Sequence, residues 1–295
     1  MGEFLDAVLT FPLMQRAVAT AILASVACGV VGTFVVVRRI TYVAGGIAHC
    51  VLGGMGAAVF LRASYPQQLG WLEPIYGAVA SALVAAAIIG AVSLRFRQRE
   101  DTVISALWAV GMALGVMLLY LTPGYQQDLM GYLFGSISIV AAKDIWLIAA
   151  LDVVVVGVSV VFYRQLQAVC FDEEFARTRG LRVDFYYMLL LCLTALTVVL
   201  LVTVVGIVMV IALLTLPVAV AGQYARRLWK IMLLSAGISA ALWIAGLAVS
   251  YTPRLPAGAT TIILAGATYI LVLAAGRLLR RRPGIARAGP RRTPR

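Results

Sequence analysis

The sequence predicts an all-α polytopic membrane protein of about nine transmembrane helices, and three observations carry the prediction. Hydrophobic residues make up 63% of the chain, charged residues only 12%, and mean hydropathy is +1.00, a balance that no water-exposed globule shows. The apolar residues fall into uncharged runs of about 20, the length that crosses the hydrocarbon of a bilayer. The basic residues between those runs are confined almost entirely to one side, as topology control requires.

Taken in order, Ala17 to Val37 is the first expected span and Ile40 to Leu61 the second, separated by Arg38 and Arg39. Pro74 to Leu94 is the third. Arg95, Arg97 and Arg99 precede the fourth, Thr102 to Leu121, which Thr122-Pro123-Gly124 ends. Tyr125 to Ala142 is too short and too punctuated for a full crossing and reads as a partly embedded outer loop. Lys143 to Tyr163 is the fifth span. Phe185 to Ala225 carries no charge over twice the length of one crossing, so it divides near Thr203 to Gly206 into the sixth and seventh. Ile231 to Tyr251 is the eighth and Ala257 to Gly276 the ninth, with Thr252 to Pro256 as an outer turn.

Placing Arg38 and Arg39 in the cytoplasm puts 20 of the 24 Lys and Arg there and leaves Arg16, Arg62, Lys143 and Arg254 outside. The amino terminus is then outside and the carboxyl terminus cytoplasmic. The net charge of +12 is accounted for by orientation, and no nucleic-acid partner is expected. Cys28, Cys50, Cys170 and Cys192 are isolated and imply neither disulfides nor a zinc knuckle. Glu3 and Asp6 are acidic where a secretory signal would be basic, so the first helix is expected to stay. Residues 1–282 read as one membrane domain, and 283–295 as a basic cytoplasmic tail, disordered or lying on anionic lipid.

One polar helix interrupts the apolar pattern, at 171–181. Asp172 is an N-cap, Glu173 and Glu174 charge its first turn, Arg177 and Arg179 its last, and Gly180 suits a left-handed stop. Glu173 can pair with Arg177, and Phe171 with Phe175, one turn on. So short a helix needs a surface to dock on. No phosphate-cradling loop exists, since the only lysines, Lys143 and Lys230, lack the glycine-rich lead.

His49 is the only histidine and lies about three turns into the second span, between Gly45, Gly46, Gly53 and Gly54, which would admit a neighbouring helix closely. A polar ring at that depth lines a pathway or finds a partner such as a neighbouring carbonyl. Imidazole suits zinc and related divalent ions, and one histidine holds them weakly, as conduction needs. A two-fold homodimer would bring a second His49 across the axis. Asp152, two turns inside the fifth span, is a second candidate for the metal path. Pro217 in the seventh span frees a carbonyl or makes a simple kink.

The chain resembles the permease subunits of the zinc, manganese and iron family of metal-ion ABC importers. The resemblance rests on Arg38-Arg39 followed by Ala44-Gly45-Gly46-Ile47-Ala48-His49 and Gly53-Gly54, on Asp172 to Ala176 with Gly180, on Val205-Gly206-Ile207 through Leu216-Pro217-Val218, and on Leu255-Pro256-Ala257-Gly258. It spans nearly the whole sequence. The family's aspartate before the histidine is absent, with Gly45 at that place, which favours zinc over manganese or iron as the first ion.

This resemblance implies a multi-pass permease of the bacterial inner membrane with no cofactor and no ATPase site of its own. Its implied partners are a cytoplasmic ABC ATPase that hydrolyses the ATP, an extracytoplasmic metal-binding protein and a second copy of the chain. Asp172, Glu173, Glu174, Phe175, Ala176, Arg177 and Gly180 would form the coupling helix, with Phe175 and Ala176 touching the ATPase. The alternative is a secondary transporter of metabolites or ions without an ATPase. An intramembrane hydrolase lacks a visible His-Glu-x-x-His or carboxylate pair.

Overall fold

A computed structural model describes residues 2–95, 100–123, 142–253 and 255–280. Thirteen helices and no strand occur among them: α1 Gly2–Thr10, α2 Pro12–Arg38, α3 Thr41–Ser64, α4 Pro66–Leu69, α5 Pro74–Arg95, α6 Glu100–Tyr120, α7 Ala142–Val161, α8 Tyr163–Phe171, α9 Glu173–Thr178, α10 Val183–Val205, α11 Ile207–Tyr224, α12 Leu228–Tyr251 and α13 Ala257–Arg280. The expected outer loop before residue 142 and the tail at 283–295 lie outside the described residues.

Eight of these helices are long and apolar enough to cross a membrane, and α7 with α8 forms a ninth candidate bent by 72°. α7 matches the expected fifth span, Lys143 to Tyr163, within two residues, and what the sequence did not predict is the helix that follows it. The chain does not run from a straight crossing into a loop; it turns at Phe162 and continues for nine residues as α8, whose Leu166, Val169 and Cys170 are buried against the bundle. α1 and α4 were not legible as elements. α1 is a short amphipathic helix whose Phe4 packs edge-on against Tyr251, ring centroids 6.1 Å apart.

The most enclosed helices are α2, α3 and α10. α2 packs on α12, α11, α7 and α10, while α3 packs chiefly on α6 and α5 and more lightly on α10 and α11. Small residues set these distances. A Cβ on Gly53 would come within 2.7 Å of the Gly111 carbonyl oxygen, and one on Gly56 within 2.7 Å of the Gly115 oxygen, so α3 and α6 touch backbone to backbone. Gly46 likewise faces Ile104 and Gly54 faces Gly77. Gly45 differs: a Cβ there would meet Trp108 and Ile211 at an ordinary 3.5 Å.

The long uncharged run breaks at Gly206, which has φ 80 and ψ 164, a region essentially closed to other residues. One glycine therefore joins α10 to α11, with Val205 and Ile207 buried on either side of it. At the other end of the bundle α2 stops on Arg39, a left-handed residue with φ 64 whose N–H reaches the Val35 and Val36 carbonyls. Only Arg39 and Ile40 lie between α2 and α3. Pro217 is buried inside α11, where its missing N–H leaves the Leu213 carbonyl without its intrahelical donor.

Candidate functional site

Two groups of residues stand out, at the basic end of the bundle and in the α3/α6 seam. At the basic end α9 has both of its ends chemically closed. Asp172 caps it, its carboxylate accepting the Phe175 N–H at 2.8 Å. The far end is a Schellman turn: Leu181 N–H donates to the Ala176 carbonyl at 3.1 Å and Gly180 N–H to Arg177 at 3.0 Å, with Gly180 at φ 78. The regular helix is thus Glu173–Thr178, shorter than 171–181. Phe171 closes the preceding helix, so the same-helix Phe171 and Phe175 pairing does not occur; both rings are exposed.

Ala176 is corrected as well. It is 1% exposed and packs with Val169 and Val183, so it anchors α9 to its own chain and has no surface to offer a partner. Glu173 also faces inward. Its Oε2 lies 2.5 Å from Arg38 Nη2 and its Oε1 3.3 Å from Arg177 Nη2, which in turn lies 2.5 Å from Asp184 Oδ1. Arg38 also donates to the Val169 carbonyl at 3.0 Å and sits over the Tyr187 ring. Partial burial pushes the Glu173 carboxyl up, but hydrogen bonds and charge from Arg38 and Arg177 outweigh it and hold the group below its ordinary range. Bonding to Glu173 and then Asp184 raises Arg177 further above its own. Glu174 and Phe175 are left exposed on α9, Phe175 beneath the Arg179 guanidinium at 5.1 Å.

In the α3/α6 seam His49 is 8% exposed. Its Nδ1 lies 2.9 Å from the Gly45 carbonyl oxygen, which can only accept, so Nδ1 carries the proton and Nε2 the lone pair. The imidazole stacks on Trp108, centroids 4.2 Å and planes 27° apart. Cys50 also faces α6, its thiol donating to the Leu107 carbonyl at 3.3 Å. A histidine fixed through one nitrogen and free at the other is the usual state of a metal ligand. Among the described residues no three His, Cys, Asp or Glu side chains converge into a group able to hold a metal ion.

Asp152 is buried at 7% exposure, and its Oδ1 has no hydrogen-bond partner. It lies on α7, which packs on α2 and α10, whereas His49 belongs to the α3/α6 interface. The structure does not bring the two together. Arg38 and Trp108 were not singled out from sequence. Arg38 was legible only as one of a basic pair, and nothing local marks an aromatic at 108 as the neighbour of a residue 59 positions earlier.

The chain is 39% identical over 274 residues to an uncharacterized membrane protein of Synechocystis sp., covering 93% of this chain and 94% of that one. It is 31% identical over 270 residues to the manganese import system permease protein ScaB of Streptococcus parasanguinis, covering 92% of each. A chain of PsaBC from Streptococcus pneumoniae, solved in complex with Fab, superposes with a TM-score of 0.83 at 28% identity over 96% of this chain and 99% of that chain. The model of the ABC 3 transport family matches residues 10–276, and the chain belongs to that family of membrane proteins.

Proposed function

We propose that this chain is the permease subunit of an ATP-driven importer of a divalent transition-metal ion in the bacterial inner membrane. It takes the ion from an extracytoplasmic binding protein, pairs with a second copy of itself, and is driven by a separate cytoplasmic ATPase docked on α9. The amino terminus is then outside and the basic end of the bundle cytoplasmic.

The observation that carries this reading is the wiring of α9. A capped helix with Glu174 and Phe175 exposed is tied through Glu173 to Arg38, and Arg38 ends α2 three residues before α3 begins. A push on α9 is thereby delivered to the turn that leads into the helix carrying His49. The chain has no glycine-rich phosphate loop, so the push must come from another subunit. His49, with Nε2 unprotonated, can take an ion in passing, and a single imidazole does not retain it.

Zinc and manganese are the two ions to compare. Imidazole suits zinc, and the ScaB relative carries the name of a manganese permease. The test has two arms. Tagged protein should copurify with an ATPase, and uptake of zinc, manganese and iron by cells with the full complex should fall with His49→Ala. Transport by the isolated subunit in liposomes without any ATPase would overturn the importer reading, and unchanged uptake of every metal would remove His49 from the path.

A further inference from the structure

The tautomer of His49 is set by its hydrogen bond to the Gly45 carbonyl, and the Trp108 ring lies stacked on the imidazole that makes it. A neutral imidazole can protonate either nitrogen; bonding of Nδ1–H to the Gly45 carbonyl selects the form whose lone pair is on Nε2. The bond survives only while the ring keeps its plane. On α6 the Trp108 indole lies stacked against that ring at 4.2 Å, and rotation of the imidazole would drive its edge into the indole face.

Trp108 is itself held. The Tyr42 ring lies 6.3 Å from it, with the Tyr42 hydroxyl bonded to Ser105 and to the Asp101 carbonyl. Backbone contacts of Gly53 with Gly111 and of Gly56 with Gly115 stop α6 from sliding along α3. The indole edge reaches Gly45 too, since Trp108 Cζ3 is one of the two nearest atoms a Cβ there would meet. It covers both partners of the hydrogen bond.

We propose that Trp108 is a positioning residue: by stacking on His49 it keeps Nδ1 on the Gly45 carbonyl and so presents Nε2 as the ligand for the passing ion. The ion-presenting half rests on the function proposed above. The tautomer half does not, because it is read without metal.

His49 is the only histidine, so protein labelled with ¹⁵N-histidine contains one imidazole. The natural chain should show it protonated at Nδ1. Trp108→Leu keeps an apolar side chain but loses the flat face, and should shift the tautomer ratio toward Nε2–H by ~2- to ~10-fold, the range an aromatic pair is worth. Trp108→Phe should restore it. In uptake, Trp108→Leu should raise the zinc concentration for half-maximal transport by a similar factor, with the maximal rate little changed. A single Nδ1–H tautomer persisting in Trp108→Leu would overturn the proposal. So would an Nε2–H tautomer in the natural chain, which needs no variant to fold. A shifted tautomer with unaltered zinc dependence would overturn the ion-presenting half, whereas His49→Ala alone decides whether His49 lies on the path.

Discussion

Arg38 and Glu173, 135 residues apart in the chain, meet with Nη2 and Oε2 at 2.5 Å. The contact joins the end of α2 to the first turn of α9, and Arg38 extends it to the Val169 carbonyl and the Tyr187 ring. Four helices thus converge on one guanidinium. Both side chains are only partly exposed, at 21% and 33%, so the pair is shielded more than an open surface pair and less than a buried one.

The pH dependence of that contact follows from Glu173. Its carboxyl sits below the ordinary value of 4.5, so the folded state favours the ionised form. The stabilisation is complete above pH 4.5 and is lost as pH falls through the lowered value. Docking of α9 should therefore be constant across neutral pH and weaken only in acid. Glu173→Gln should flatten that acid limb and cost about 1 kcal/mol at neutral pH. Hydrogen exchange of the amides at 173–181 measures it, with protection falling about five-fold.

Residues on α9 should divide by the direction they face. Ala176→Asp would place a carboxylate against Val169 and Val183, at a cost of about 3 kcal/mol, and should release α9 from its own bundle. Glu174→Arg and Phe175→Ala alter exposed positions. They should leave the melting temperature of the purified chain unchanged while reducing copurification of the ATPase. Equal melting of all three variants would show that α9 is not anchored through Ala176.

Much of this architecture was legible in the sequence because its constraints are local. A crossing needs a fixed run of apolar residues, and charge marks its ends, so α2, α3, α5 to α7 and α10 to α13 fall within about five residues of the expected bounds. Even the division of the uncharged run at Gly206 rests on length. The caps of α9 were visible for the same reason. What could not be read depends on distant partners. The 72° turn between α7 and α8 occurs at Phe162, with no proline or glycine to announce it, and α8 is held by residues of α2 and α10. Nothing in the glycine spacing separates Gly53, pressed on a backbone oxygen, from Gly45, which has room. The inward face of α9 needed Val169 and Val183, which belong to its neighbours.

Gly206 should tolerate no substitution. Its φ of 80 and ψ of 164 lie where a Cβ costs about 1–3 kcal/mol, and the buried turn gives no solvent to relax into. Gly206→Ala should lower the melting temperature in detergent. Gly222→Ala is the control, since it lies within α11 with nothing inside 4 Å of an added Cβ. It should be neutral or stabilising by up to about 1 kcal/mol. A variant at 206 as stable as the one at 222 would mean that the chain turns between α10 and α11 by some other conformation.

In the α3/α6 seam two glycines of the same helix, Gly53 and Gly45, have opposite surroundings. A Cβ on Gly53 would lie 2.7 Å from the Gly111 oxygen, and the atom in the way is backbone, so the helices themselves must part. Gly53→Ala should cost about 1–3 kcal/mol, the range for overpacking. Gly45→Ala adds its methyl at ordinary distance from Trp108 and Ile211 and leaves the carbonyl that receives His49 Nδ1–H in place. It should melt like the natural chain and keep the same His49 tautomer. Parting of α3 from α6 in Gly53→Ala would instead loosen Trp108 against His49, so that variant should lose both melting temperature and the single tautomer. If Gly53→Ala melts normally, the backbone contact does not set the spacing of the seam.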